Sequence, residues 1–155
     1  LERIQAINKY IPECGISSDF ITGFCDETEE DHQLTLSPME IVKYNFSYMF
    51  HYSERPNTFA QRKLKDNVSE KIKKRRLQEI IDAQQKHSLF RNKLSIGKQY
   101  EVLIEGVSKK SDNNFFGRTS QNTVVVFKKK NAQIGDFVNV QINKCTSATL
   151  IGEII

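Results

Sequence analysis

The chain has no tryptophan, only three cysteines and only three prolines among its 155 residues. Cys14, Cys25 and Cys145 are odd in number, far apart and in no C-x-x-C pair, so neither a disulfide framework nor a cysteine-built metal site is encoded locally. Reduced thiols are the expectation. No apolar run approaches the roughly 20 residues that a membrane-spanning helix requires. The N-terminus lacks the basic-then-apolar layout of a secretion signal, and the chain reads as cytoplasmic with no membrane partner. A composition of 27% charged and 38% hydrophobic residues belongs to a folded globular protein, and the length suits one ordinary domain or two small ones.

What the chain does have is charge, unevenly distributed. Residues 1–60 carry 4 basic and 10 acidic side chains, residues 61–95 carry 11 and 4, and residues 96–155 carry 8 and 5, giving −6, +7 and +3 within the net +4. An acidic first third and a basic remainder point to separate modules, the later ones facing a polyanion. On charge alone the basic segment reads equally well as a solvated helix face.

Periodicity organises the chain. Leu1, Ile4 and Ile7 share one helical face with no capping residue ahead of them, as in a helix entered part-way. GISSDFIT (15–22) then reads as a buried strand, ETEEDHQLTLSPMEIVKYN (27–45) as a helix, and FSYMFHY (46–52) as a second strand. Pro38 predicts a kink in that helix. A β-α-β crossover implies parallel strands, and parallel sheets have more than two strands with both faces covered, so residues 1–60 read as the closing part of a larger α/β domain.

After the turn SERPNT (53–58), a helix is predicted from about Asn67 to Asn92, capped by Asn67 or Ser69. Leu77, Ile80, Ile81 and Gln84 share one face, with Val68 and Ile72 roughly opposite. Between these stripes lies KIKKRR (71–76), too polar for any core. From Gly97 onward the pattern is all β, and four or five short strands punctuated by glycines fit a small antiparallel barrel of the OB type that binds oligonucleotides.

Two stretches carry candidate chemistry. CDETEEDH (25–32) packs a cysteine, five carboxylates and a histidine together and invites a metal-site reading. Thr28 and Asp31, however, have the spacing of a capping box, and Glu29, Glu30 and Asp31 fall where negative charge favours the positive end of a helix dipole. Consecutive helical positions diverge by about 100°, so few of these groups can converge on one ion, and His32 reads as a surface residue. The loop after Gly23 reads either as a rim open to a small ligand at a strand's C-terminal edge or as a tight strand-to-helix turn. Arg55, after the next strand, reads as an anion clamp or as an ordinary surface arginine. In SKKSDNNFFGRTSQNTVVVF (108–127), Lys109, Lys110 and Arg118 accompany Phe115 and Phe116. Basic groups track phosphates and aromatic faces stack on unpaired bases; adjacent phenylalanines in a strand point to opposite faces, one to the core and one outward.

The blocks ISSDFITGF, ETEEDH, FSYMFHYSERPNT, KIKKRRLQEII, VLIEGVSKKS, FFGRTSQNTVVVF, IGDFVNVQI and ATLIGEI, in that order, resemble the C-terminal part of the radical S-adenosylmethionine methylthiotransferase family, nearest its tRNA-modifying branch. The resemblance implies a fold that is α/β plus all-β. Its last β-α-β of a TIM-like radical-SAM barrel would span residues 1–60, a connecting helix 61–94, and a C-terminal TRAM domain 95–155. It also implies an enzyme with S-adenosylmethionine and two 4Fe–4S clusters, monomeric, acting on the anticodon stem-loop of tRNA. The reaction would replace a C–H of isopentenylated adenosine with a methylthio group. Ile21, Gly23, Glu27, Phe50, Ser53 and Arg55 would border the S-adenosylmethionine pocket. Independently of the resemblance, charge and aromatic placement make Lys109, Lys110, Phe116 and Arg118 the candidates to contact RNA, with Lys73, Lys74, Arg75 and Arg76 as the alternative location. No catalytic residue and no metal ligand is expected in this stretch, since the C-x-x-x-C-x-x-C run is absent and Cys14, Cys25 and Cys145 match no cluster set; alone it would be inactive. The loop departs from the usual G-F-P-G-E-T by Cys25 and Asp26, and Asn57 replaces a glycine. A sibling branch that modifies an aspartate of a ribosomal protein, and a non-catalytic RNA-binding module, are the alternatives.

Overall fold

The computed structural model describes residues 1–155. Its elements are α1 (Glu2–Tyr10), β1 (Ser17–Thr22), α2 (Glu29–Val42), β2 (Phe46–His51), α3 (Phe59–Lys63), α4 (Glu70–Lys93), β3 (Gln99–Val107), β4 (Asn114–Thr119), β5 (Val124–Lys128), β6 (Phe137–Cys145) and β7 (Leu150–Ile154). The chain divides into two compact units, one of Leu1 with residues 16–85 and one of residues 2–15 with 86–155, the second boundary falling inside α4. No helix is long and apolar enough to cross a membrane.

In the first unit β1 and β2 pair in parallel, from Ser17 opposite Phe46 to Thr22 opposite His51, with α2 as the crossover. Helix α2 begins where its sequence says it should. The Thr28 hydroxyl accepts from the Asp31 N–H at 3.1 Å, and the Asp31 carboxylate accepts from the Thr28 N–H at 3.0 Å, completing the capping box. Pro38 lies within α2, which continues to Val42 and closes at Lys43 in a left-handed conformation (φ 51°). Alternation splits the sheet into two faces. Ser47 is buried and its hydroxyl donates to Gln84 of α4 at 2.8 Å; on the opposite face Ile21, Tyr48 and Phe50 are exposed at 60%, 62% and 57%. The unit contains these two strands and no closed α/β barrel.

The second unit is a closed five-stranded barrel in the order β3-β4-β5-β7-β6. Four of its pairings are antiparallel, but β5 and β7 run parallel, which corrects the all-antiparallel expectation: β7 returns on the far side of β6 and lies beside β5 in the same direction. The period-2 pattern sends Val102, Ile104, Phe115, Val125, Phe127, Val140, Ile142 and Leu150 inward as one core. Register shifts between Ile104 and Gly106 and between Ile142 and Lys144 add the local bend that closing so small a sheet requires.

Candidate functional site

At the C-terminal edge of β1 the site is built by α4. Positions 73, 76, 80 and 84 recur every three to four residues, and Lys73, Arg76, Ile80 and Gln84 are buried, so the buried stripe of α4 runs on from its apolar half into its basic half. The strip KIKKRR, whose polarity predicts a fully solvated face, thus sends two of its cations inward. Carboxylates from elsewhere in the unit make this possible, since buried charge is tolerated when paired and hydrogen-bonded. Lys73 Nζ lies 2.6 Å from Asp66 Oδ2 and 3.3 Å from Glu70 Oε1. Arg76 Nη1 donates to Glu27 Oε1 at 2.8 Å and to the Glu27 carbonyl at 3.0 Å. Burial pulls the Lys73 ammonium down, but its hydrogen bonds to Asp66 and Glu70 outweigh this and hold it above its ordinary value.

Glu27 is the hub of the turn. Besides Arg76 it accepts from the Thr22 hydroxyl at 3.1 Å and from the Gly23 N–H at 2.9 Å, tying the end of β1 to α4. Gly23 has φ +74°, and a Cβ placed there would lie 2.4 Å from Lys73 Cγ. The space that the missing side chain leaves is filled by the methylenes of Lys73, so this side of the turn is packed closely against α4. The Lys73 ammonium also lies 5.3 Å from the centre of the Tyr52 ring, which Phe24 meets edge-on at 4.9 Å. Asp26 adopts φ 64°, the conformation a glycine takes most easily, and Asn67 holds it through Asp26 N–H to Asn67 Oδ1 at 2.9 Å and Asn67 Nδ2 to Asp26 Oδ1 at 2.6 Å. With Asn67 so used, Ser69 caps α4, accepting from the Ile72 N–H at 3.4 Å.

His32 is fully buried, a correction to its surface reading: Nε2 lies 2.7 Å from Glu79 Oε2, and Glu79 in turn bonds Arg75 at 2.6 Å. Arg75 also pairs with Glu29 at 2.6 Å, and that hydrogen bond draws the Glu29 carboxyl down to about 2. Of the four cations proposed from sequence to face RNA on this helix, Lys73 and Arg76 are therefore buried in intramolecular pairs, Arg75 is engaged with Glu29 and Glu79, and Lys74 is exposed.

Among the residues assigned by resemblance to a cofactor pocket, Ile21 and Phe50 are direct register partners on the exposed sheet face, and Ser53 and Arg55 follow β2 in solvent. Gly23 and Glu27 are turned to α4 instead. Asp19 and Tyr48 share the exposed face as partners in the next row; the alternation of SYMFHY already signals Tyr48.

In the second unit a cleft of about 540 Å³ opens on the outside of the barrel. Its floor is a row of three register partners on adjacent strands, Phe116, Val126 and Ile151, and the loops carrying Lys109, Lys110, Thr146 and Thr149 wall it. Phe115 points into the core and Phe116 out of it, as alternation requires. The Phe116 ring lies against Gly106, where a Cβ would come within 2.8 Å of it. No acidic residue lines the cleft. Lys109, Lys110 and Phe116 are brought together here; Arg118 is not, being tied to Glu105 at 3.2 Å and to Asn122 at 3.0 Å. Val126, Ile151, Thr146 and Thr149 escape sequence reasoning because the β5–β7 pairing that assembles them leaves no local signal.

Residues 93–155 match the TRAM domain family, so the barrel that carries this basic, apolar-floored cleft is a TRAM domain. Over nearly its full length the chain is also similar to proteins named tRNA-2-methylthio-N(6)-dimethylallyladenosine synthase. Identity is 64% with that of Christiangramia forsetii (97% of this chain, 31% of the relative), 58% with that of Flavobacterium johnsoniae (100% and 32%) and 55% with that of Bacteroides thetaiotaomicron (99% and 34%). The chain spans about a third of the length of these relatives. Among solved structures, the solution structure of a conserved protein of Methanococcus maripaludis is similar at 28% identity, over 39% of this chain and 79% of that one, with a TM-score of 0.32.

Proposed function

We propose that this chain is part of a radical S-adenosylmethionine methylthiotransferase that converts N6-isopentenyladenosine beside the tRNA anticodon to its 2-methylthio derivative, with the TRAM domain binding the anticodon stem-loop. The observation that carries the reading is the likeness, over essentially the whole chain, to relatives bearing the name of that synthase. Residues 1–60 then contribute the last β-α-β of the radical-SAM barrel, 61–94 connect, and 95–155 hold RNA. Two features support this division of labour. A parallel pair with an exposed face of Ile21, Tyr48 and Phe50 is suited to the interior of a larger α/β layer, because parallel sheets are covered on both sides. The cleft of the barrel joins cations to an aromatic floor, the combination that single-stranded RNA favours.

The residues present do not fit an iron–sulfur cluster: Cys14 is exposed, Cys25 buried and Cys145 half-buried, and no three potential ligands converge. In the proposed enzyme S-adenosylmethionine supplies the radical chemistry. Ile21 and Phe50 would border it with apolar surface, Ser53 and Arg55 would offer polar groups at the strand edge, and Glu27 would keep the intervening turn in shape.

The test is complementation. The full-length parent, expressed in a strain lacking the synthase, should restore the 2-methylthio nucleoside in digested tRNA measured by mass spectrometry, and the same protein without residues 93–155 should restore far less. Unmodified tRNA together with a mass gain on a ribosomal protein would replace this reading with the sibling one.

A further inference from the structure

We infer that the cleft of the barrel receives one unpaired nucleobase, turned out of an RNA strand whose neighbouring phosphates lie on Lys109 and Lys110. The inference rests on the reading of the barrel as RNA-binding and specifies what the barrel reads.

Four observations converge. The floor is apolar and crosses three strands in register, Phe116 beside Val126 beside Ile151, which gives a flat hydrophobic strip with an aromatic ring at one end. The ring has a defined seat, because Gly106 offers no side chain beneath it. The cleft is concave, walled by the loops around Lys109 and Thr149, and its volume of about 540 Å³ lies in the range that holds a whole small molecule, about 300–1,000 Å³. Its walls carry the Asn114 carboxamide and the Thr149 hydroxyl, which can both donate and accept, as the edge of a base requires; the charges at its rim are Lys109 and Lys110, with no carboxylate.

This arrangement does not suit a helical stem. A duplex presents phosphates and groove edges while its base faces are covered by their neighbours, so it would meet the lysines and leave the apolar strip idle. A turned-out base exposes the face that Phe116 can cover and the edge that Asn114 and Thr149 can reach. The absence of lining carboxylates and the pair of rim lysines select a polyanion over an acid-neutral protein partner as the source of the inserted group.

The experiment uses the full chain and three RNAs: a hairpin with an unpaired loop, a blunt duplex of the same stem, and the hairpin with 2-aminopurine at successive loop positions. Affinity is read by fluorescence anisotropy across a salt series. Phe116→Leu keeps the bulk that the fold needs and removes the aromatic face; it should weaken hairpin binding by about 5- to 150-fold, the size of one base–aromatic stack, without changing the salt slope or duplex binding. Phe116→Tyr restores the face and should stay within about twofold of the parent. One loop position of 2-aminopurine should change its emission on binding, and that change should vanish with Phe116→Leu. If Phe116→Leu binds the hairpin as the parent does, or loses hairpin and duplex equally, the base-insertion inference is wrong while the barrel remains an RNA binder. If the parent binds none of the three RNAs, the RNA-binding reading falls and the inference with it.

Discussion

Lys73 occupies the space beside Gly23 that any other residue's Cβ would take: its Cγ lies 2.4 Å from that position, and its ammonium reaches on to Asp66 at 2.6 Å. The turn that ends β1 and the first turn of α4 are thereby fitted to each other through a lysine stem, not through an apolar core residue. A lysine stem packs like an apolar side chain, and a head buried with it, as here, has to be paired, which Asp66 does.

Gly23→Ala should therefore destabilise the protein by about 1–3 kcal/mol, combining a positive φ with a close contact. Urea unfolding would measure it. In a Lys73→Ala background the cost should shrink, since the contact is gone and only the backbone conformation remains; purely additive effects would mean that the two residues do not meet in solution.

Arg76 and Glu27 form a pair in which the arginine side chain is 5% exposed and the glutamate 13%. Arg76→Met leaves the Glu27 carboxylate with only Thr22 and Gly23 as donors and should cost about 3–5 kcal/mol, as removing one partner of a buried pair does. Lys74→Ala, two positions earlier and exposed, should stay within about 0.5 kcal/mol. Comparable losses from the two substitutions in chemical denaturation would contradict the burial described for this helix.

The acid side of the stability profile should report the α2–α4 ion pairs. The hydrogen bond from Arg75 lowers Glu29 from an ordinary 4.5 to about 2, and the Thr28 N–H lowers Asp31. A carboxyl with a depressed folded value contributes stability that is present above its unfolded value and lost as pH falls through the folded one. Thermal midpoints should thus fall between about pH 4.5 and pH 2, and Glu29→Gln should flatten that fall. Identical pH profiles for parent and variant would show the pair to be uncoupled from folding.

On the barrel, the structure ranks the cations. Lys109 and Lys110 line the cleft, whereas Arg118 is held by Glu105 and Asn122. Each of Lys109→Gln and Lys110→Gln should lower the log–log salt slope of RNA binding by about 1, and Arg118→Gln by clearly less. A full unit lost with Arg118 alone would extend the phosphate path along the outer face of β4 toward the β4–β5 turn.

Much was legible in the residues themselves. The capping box at Thr28 and Asp31, the β-α-β order, a helix from about Asn67 to Asn92 and the alternation that puts Phe115 and Phe116 on opposite faces follow from spacing and side-chain type, while the likeness to the methylthiotransferases rests on the order of whole sequence blocks. These are local properties: a period of 2 or 3.6 identifies which residues share a face, and a short polar side chain ahead of a helix identifies where it starts. Tertiary structure alone decided which face is inside when that face is charged. Nothing near KIKKRR reveals that Glu27, 49 residues before Arg76, will be its partner, or that a buried His32 will pair with Glu79. Nor does any local pattern reveal that β7 will return beside β5 and bring Ile151 to Val126. The burial of a charge and the floor of a cleft depend on groups distant in sequence arriving at one place, and the electrostatic and packing energy that fixes them exists only once they have arrived.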